Sequence, residues 1–242
     1  METSNPLLQR DIDYSATEAT GSMTLNGTIH KSGILLLLCI AAAVFSFTAN
    51  PQIQIPLGIL GLIGGLVACL VGTFMPKTAP IAAPAYALLE GLILGVISAF
   101  YEHSFRGSPG LVANAMLLTF CVLGLMLFLY ATRIIRVTER MMMGIVIATG
   151  SVALVYFVDI IFGMFGHPIG FIHDSGPVGI IVSLVIVGIA AFNLLMDFAI
   201  IETNVQQGAP KYMEWYCGMA LLVTLVWLYL EILRLLAKLQ KR

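Results

Sequence analysis

The sequence predicts an all-α integral membrane protein of about seven transmembrane helices, and three observations predict it. Hydrophobic residues make up 59% of the 242 and charged residues 10%, whereas a soluble domain is about half apolar and about a quarter charged. Seven apolar runs approach the roughly 20 residues that a helix needs to cross about 30 Å of hydrocarbon at about 1.5 Å per residue. The connections between them are short and hold helix breakers, so no soluble domain fits between spans.

Residues 1–32 come first. They are polar and acidic (Glu2, Asp11, Asp13, Glu18), a composition that predicts a disordered tail. The tail lacks the basic start and apolar core of a cleavable signal peptide, so the first span itself directs insertion. Its sequon, Asn26-Gly27-Thr28, carries no weight, because such tripeptides are common by chance. The spans follow at 33–49, 55–75, 81–101, 111–132, 141–165, 178–201 and 213–236. Between them stand Asn50-Pro51, Pro76 with Pro80, Gly107 through Gly110, His167-Pro168, and Gly208 through Pro210. The membrane domain is thus expected over 33–236, with a short basic tail at 237–242.

With the amino terminus in the cytoplasm, the tail and the connections after spans two, four and six hold seven Lys and Arg residues. The opposite connections hold Arg106. The positive-inside rule therefore puts the amino terminus in the cytoplasm, with Arg133, Arg136 and Arg140 the strongest signal. Seven crossings then leave Arg234, Lys238, Lys241 and Arg242 on the outer side, where a basic cluster is disfavoured. A re-entrant last segment would remove that conflict. A full crossing is the expectation, because residues 213–236 are long enough to span.

Other function classes fall away. A net charge of −1 with scattered Lys and Arg makes no basic stripe for nucleic acid. Cys39, Cys69, Cys121 and Cys217 sit one to a span without metal-site spacing, as packing residues do. His30, His103, His167 and His173 lie in the tail or connections, and there is no His-Glu-x-x-His motif, so an enzyme is not expected. Gly58, Gly61 and Gly65 in span two, and Ala87, Gly91 and Gly95 in span three, are spaced for close helix packing.

Ionisable groups inside the spans are the informative residues, because each costs at least about 2.5–3.5 kcal/mol near a helix centre. Counted from mid-span, Glu90 lies near the midplane and Asp197 about 11 Å towards the cytoplasmic side. Asp159 and Glu231 lie about 9–10 Å towards the outer side. Asp159 and Asp197 are then about 20 Å apart in depth, too far for a hydrogen-bonded pair. Lys77 could reach the depth of Asp197, and Arg234 that of Asp159 and Glu231. Asn193 and Asp197 share a face of span six, and Thr224, Trp227, Glu231 and Arg234 share one of span seven. Such stripes face protein or water, which makes the acids at three depths a candidate cation route. The structural alternative is that Glu231 and Arg234 neutralise each other while acids near helix ends snorkel to the interface.

Four stretches carry a likeness: Ala131 through Arg140 (ATRIIRVTER), Ala191 through Phe198 (AFNLLMDF), Gly208-Ala209-Pro210, and Leu228 through Leu236 (LYLEILRLL). They resemble the bacterial branch of the Bax inhibitor/YccA family, over essentially everything after residue 33. The resemblance implies a seven-helix fold in a bacterial cytoplasmic membrane, with the last helix surrounded by the other six. It also implies a pH-controlled Ca2+ leak attributed to two aspartates, on spans six and seven, that share a proton. Asp197 matches the first. With the last-span arginine aligned on Arg234, the second position holds Thr224. Threonine cannot supply the second charge through which a carboxylate dyad shifts its proton affinity. Glu90 is then the better replacement acid, with Glu231 at the wrong depth.

The expected ion path or pH-sensing residues are therefore Asp197, Glu90, Thr224, Asn193 and Lys77, with an outer polar cluster of Asp159, Glu231 and Arg234. No cofactor is implied, and Ca2+ enters as permeant ion, a hard cation suited to carboxylate and carbonyl oxygens. The alternative that the resemblance carries is an interaction protein restraining a membrane-bound quality-control protease, with no transport of its own. Besides that protease the expected partner is the lipid bilayer, and the sequence is silent on oligomeric state.

Overall fold

The computed structural model describes residues 21–105, 110–166, 170 and 174–241. Seven long helices follow one another: α1 (Leu25–Thr48), α2 (Pro51–Phe74), α3 (Ala79–Ser104), α4 (Leu111–Ala131), α5 (Glu139–Met164), α6 (Pro177–Gln206) and α7 (Met213–Gln240). A 3-10 turn, Pro76–Thr78, leads into α3. All seven are long and apolar enough to cross a membrane, and only helices or closed barrels satisfy the backbone there. The chain is a multi-pass membrane protein. Arg106, His167, His173, Arg242 and residues 1–20 lie outside the described residues.

Two expected boundaries move. The first helix begins at Leu25, inside the segment expected to be a disordered tail, because Thr24 caps it by accepting from the Gly27 amide at 3.0 Å. Its first two turns are polar, so hydropathy passed them over. The last helix runs unbroken to Gln240, so Lys238 belongs to α7 and not to a basic tail, and α7 is no re-entrant hairpin.

The helices alternate in direction, which defines two ends. At the proximal end Lys31 on α1 pairs with Glu214 on α7, and Arg133, after α4, pairs with Glu202 on α6 at 2.5 Å. Arg133 takes a left-handed backbone, φ 58°, uncommon outside glycine. At the distal end Lys238 donates to the Gly179 carbonyl at 3.0 Å and to Ser183 Oγ at 2.8 Å. Two of the four basic groups that sat awkwardly at this end are thereby engaged, Lys238 with α6 and Arg234 with Glu231.

In lipid, close packing drives helix association, and glycines set which helices meet. A Cβ at Gly61 of α2 would lie 2.6 Å from the Leu89 carbonyl oxygen of α3. Gly91 and Gly95 of α3 instead face α1, where a Cβ would collide with the Cys39 and Ala43 carbonyls. The small residues of span three therefore serve α1, on the face opposite the one that meets α2.

α7 packs along α1, α3, α4 and α6. It reaches α5 through Tyr156, and a Cβ at Gly72 of α2 would lie 2.7 Å from Met219 Cε. Ser98 Oγ and Tyr229 Oη, 2.7 Å apart, tie α3 to it. By contrast, Ile145 is the buried residue of α5, whose other described side chains are half-buried or exposed towards lipid.

Candidate functional site

Two turns of α6 and three of α7 meet inside the bundle. Asn193 and Asp197, one turn apart on α6, are both buried. Asn193 Nδ2 donates to Thr149 Oγ1 of α5 at 2.8 Å and to the Ile189 carbonyl at 2.9 Å. Asp197 turns towards α7, where the Thr224 hydroxyl is its polar neighbour. Asp197 is 9% exposed, and its Oδ2 has no hydrogen-bond partner among the described residues. Such an atom is rare in a folded protein and asks for a reason. Thr224 is buried beside it, and its hydroxyl donates to the Ala220 carbonyl at 3.3 Å.

Two turns distal on α7 the opposite situation holds. Glu231 is 2% exposed and accepts from Tyr156 Oη at 2.8 and 3.0 Å, from Arg234 at 3.1 Å and from Trp227 Nε1 at 3.3 Å. The Arg234 guanidinium also donates to Tyr156 Oη and lies 4.9 Å from the Tyr156 ring centre. Tyr101 of α3 lies beside it as well. Asp159, three residues beyond Tyr156 on α5, is half-buried.

Two further expected site residues lie on α3 and on the turn before it. Glu90 is half-buried on α3 among groups of α1, α2 and α3, near Cys39, Tyr86 and Gly65. Lys77 is exposed on the 3-10 turn. Of the candidates read from sequence, the structure thus joins Asp197 to Thr224, and Glu231 to Arg234. Among the described residues no three His, Cys, Asp or Glu side chains converge as metal ligands.

A model of the Bax inhibitor 1-like family matches residues 5–241. The chain belongs to that family. No curated protein and no solved structure matches it significantly. Bax inhibitor 1-like membership agrees with the seven spans, and the positions that the resemblance singled out, Asp197 and Thr224, are neighbours across the α6 and α7 contact.

Sequence reasoning missed Tyr156, Thr149 and Glu214. Tyr156 carried a signal, since it shares a helix face with Asp159 at i, i+3. Thr149 carried none, because one threonine in an apolar run is ordinary. Glu214 opens an apolar run just after Lys211, and nothing in its neighbourhood names Lys31 as its partner.

Proposed function

We propose that this membrane protein is a cation leak modulated by protonation of Asp197, with Ca2+ as the permeant ion. The supporting observation is the buried carboxyl whose Oδ2 is unpartnered, beside a hydroxyl of the neighbouring helix. An ionised carboxylate in that setting is costly, and a proton or a cation removes the cost.

Thr224 makes both states chemically complete. When Asp197 is ionised, the Thr224 hydroxyl donates to it and the second carboxylate oxygen is free for a hard cation, which takes oxygen ligands. When Asp197 is protonated, its own O–H donates to Thr224, whose proton turns to the Ala220 carbonyl, and the attraction for a cation is gone. One carboxyl and one hydroxyl then do what the family resemblance assigned to two carboxyls. A single carboxyl titrates in one step, whereas a coupled pair titrates in two. Glu231, already supplied with donors by Tyr156, Trp227 and Arg234, closes the distal end instead of offering a second binding group. The proximal end faces the cytoplasm on the positive-inside argument, with the arginines after α4 as its main support, and the membrane is the bacterial cytoplasmic one.

Purified full-length protein in liposomes tests this. Ca2+ entry should exceed that into empty vesicles and change across about pH 5 to 8, the range open to a buried carboxyl. Flux no greater than in empty vesicles at every pH ends the leak reading. An Asp197→Asn protein with the wild-type pH profile removes Asp197 from it.

A further inference from the structure

On its proximal side Asp197 is followed by apolar packing. Ile201 lies one turn, about 6 Å, beyond Asp197 on the same face of α6. It is buried in an apolar cluster with Met23, Ala209, Met213 and Cys217. Met23 precedes the first helix, yet it is 2% exposed. Backbone pairing holds it there: the Met23 amide donates to the Ala209 carbonyl at 2.6 Å, and the Lys211 amide to the Gly21 carbonyl at 3.0 Å. Ser22 and Pro210 face each other between those bonds as an antiparallel bridge. Residues 21–24 therefore lie as a strap across the connection between α6 and α7.

Glu214 fastens the strap. It is 1% exposed and accepts from the Thr24 amide at 2.9 Å, from Thr24 Oγ1 at 3.0 Å and from Lys31 Nζ. Gly27 leaves room for it, since a Cβ there would collide with the carboxylate. Lys31 also lies 5.4 Å from the Trp215 ring centre. A buried ion pair adds little to net stability but selects one docking geometry, because removing either partner strands the other charge. α7 is already held by four neighbouring helices along its length, so what this carboxylate adds is a hold on the strap at Thr24 and on the start of α1 at Lys31.

We infer that residues 21–24 are a gate on the proximal side of Asp197, with Met23 as the plug and Glu214 as the latch. Lifting the strap uncovers Ile201 and Cys217 and leaves about one helical turn between Asp197 and water. The consequence for ion flow rests on the leak reading, while the gate itself does not.

Cys217, 3% exposed, reports the gate directly. In full-length protein with Cys39, Cys69 and Cys121 changed to Ala, a charged thiol reagent should modify Cys217 slowly. Glu214→Gln and Met23→Gly should each speed that modification at least about tenfold, the smallest change expected when a buried latch is broken. Equal rates in variants that keep their helix content and elution profile overturn the gate.

A second experiment reads the opposite direction. Ser22→Cys with Pro210→Cys, in protein whose four natural cysteines are Ala, places two thiols at a facing antiparallel pair within disulfide reach. Oxidation should lower Ca2+ flux at least about tenfold, and reduction should restore it, as expected when a rare open state becomes inaccessible. Unchanged flux on oxidation overturns the gate. If neither form conducts, the leak reading fails, and the Cys217 rates alone decide the strap.

Discussion

Glu231 and Asp197 are carboxyls buried in the same bundle, on adjacent helices, and the fold treats them differently. Around Glu231 stand the hydroxyl of Tyr156, the indole of Trp227 and the guanidinium of Arg234. Around Asp197 stands Thr224, and one carboxyl oxygen has no partner among the described residues. A carboxylate surrounded by donors is part of the packing, and removing it leaves other polar groups stranded. A carboxylate with an idle oxygen is a place where something else can arrive. The difference separates a structural knot at the distal end from a carboxyl with an idle oxygen towards the proximal end.

The most direct way to break the comparison is Glu231→Ala, which strips Arg234 and Tyr156 of their acceptor. It should cost about 3 kcal/mol or more, the usual result of removing one partner of a buried pair, and thermal melting in detergent measures it. Tyr156→Phe keeps the ring and removes the hydroxyl that donates to Glu231 and accepts from Arg234, so a loss of about 2 kcal/mol or more is expected by the same measurement. Asn193→Ala breaks the bond from α6 to Thr149 of α5. Polar contacts between membrane helices are worth about 1 kcal/mol, and amide exchange should show α5 loosening before the other helices.

The smallest effect on stability belongs to Asp197→Asn. Because no charge partner is lost, melting should change by less than about 1 kcal/mol in either direction, even as the pH response of flux disappears. A melting loss as large as that of Glu231→Ala would show the two carboxyls to be equivalent after all. Thr224→Asp sharpens the contrast. It puts a second carboxyl beside the first, and the pH profile of flux should divide into two steps with the macroscopic behaviour of a coupled pair.

Much of this was legible in the sequence, for reasons that differ from residue to residue. The spans stand out because lipid demands about 20 apolar residues in a row, and each helix covers its expected segment to within one residue. Glu231 and Arg234 announce themselves at i, i+3, a spacing that any α-helix converts into contact. Asp197 stands out as an acid in an apolar run, and the family likeness pointed to Thr224 across from it. Glu90 was equally conspicuous, but depth along a helix says nothing of direction around the bundle, and the structure sets it among groups of α1, α2 and α3. The strap was illegible: Thr24 and Glu214 are 190 residues apart, and neither hydropathy nor periodicity carries a pairing of that range.

The sequence by itself determined that the chain crosses a membrane about seven times and where each crossing lies, because insertion depends on transfer energies that add along each segment. It also determined that a few acids would have to be accommodated inside. Only the tertiary structure decided which of them would be surrounded by donors, which would keep an idle oxygen, and that the residues before α1 would fold back over the α6 and α7 connection. Those outcomes depend on which helix faces meet, and polar satisfaction is a property of neighbours in space.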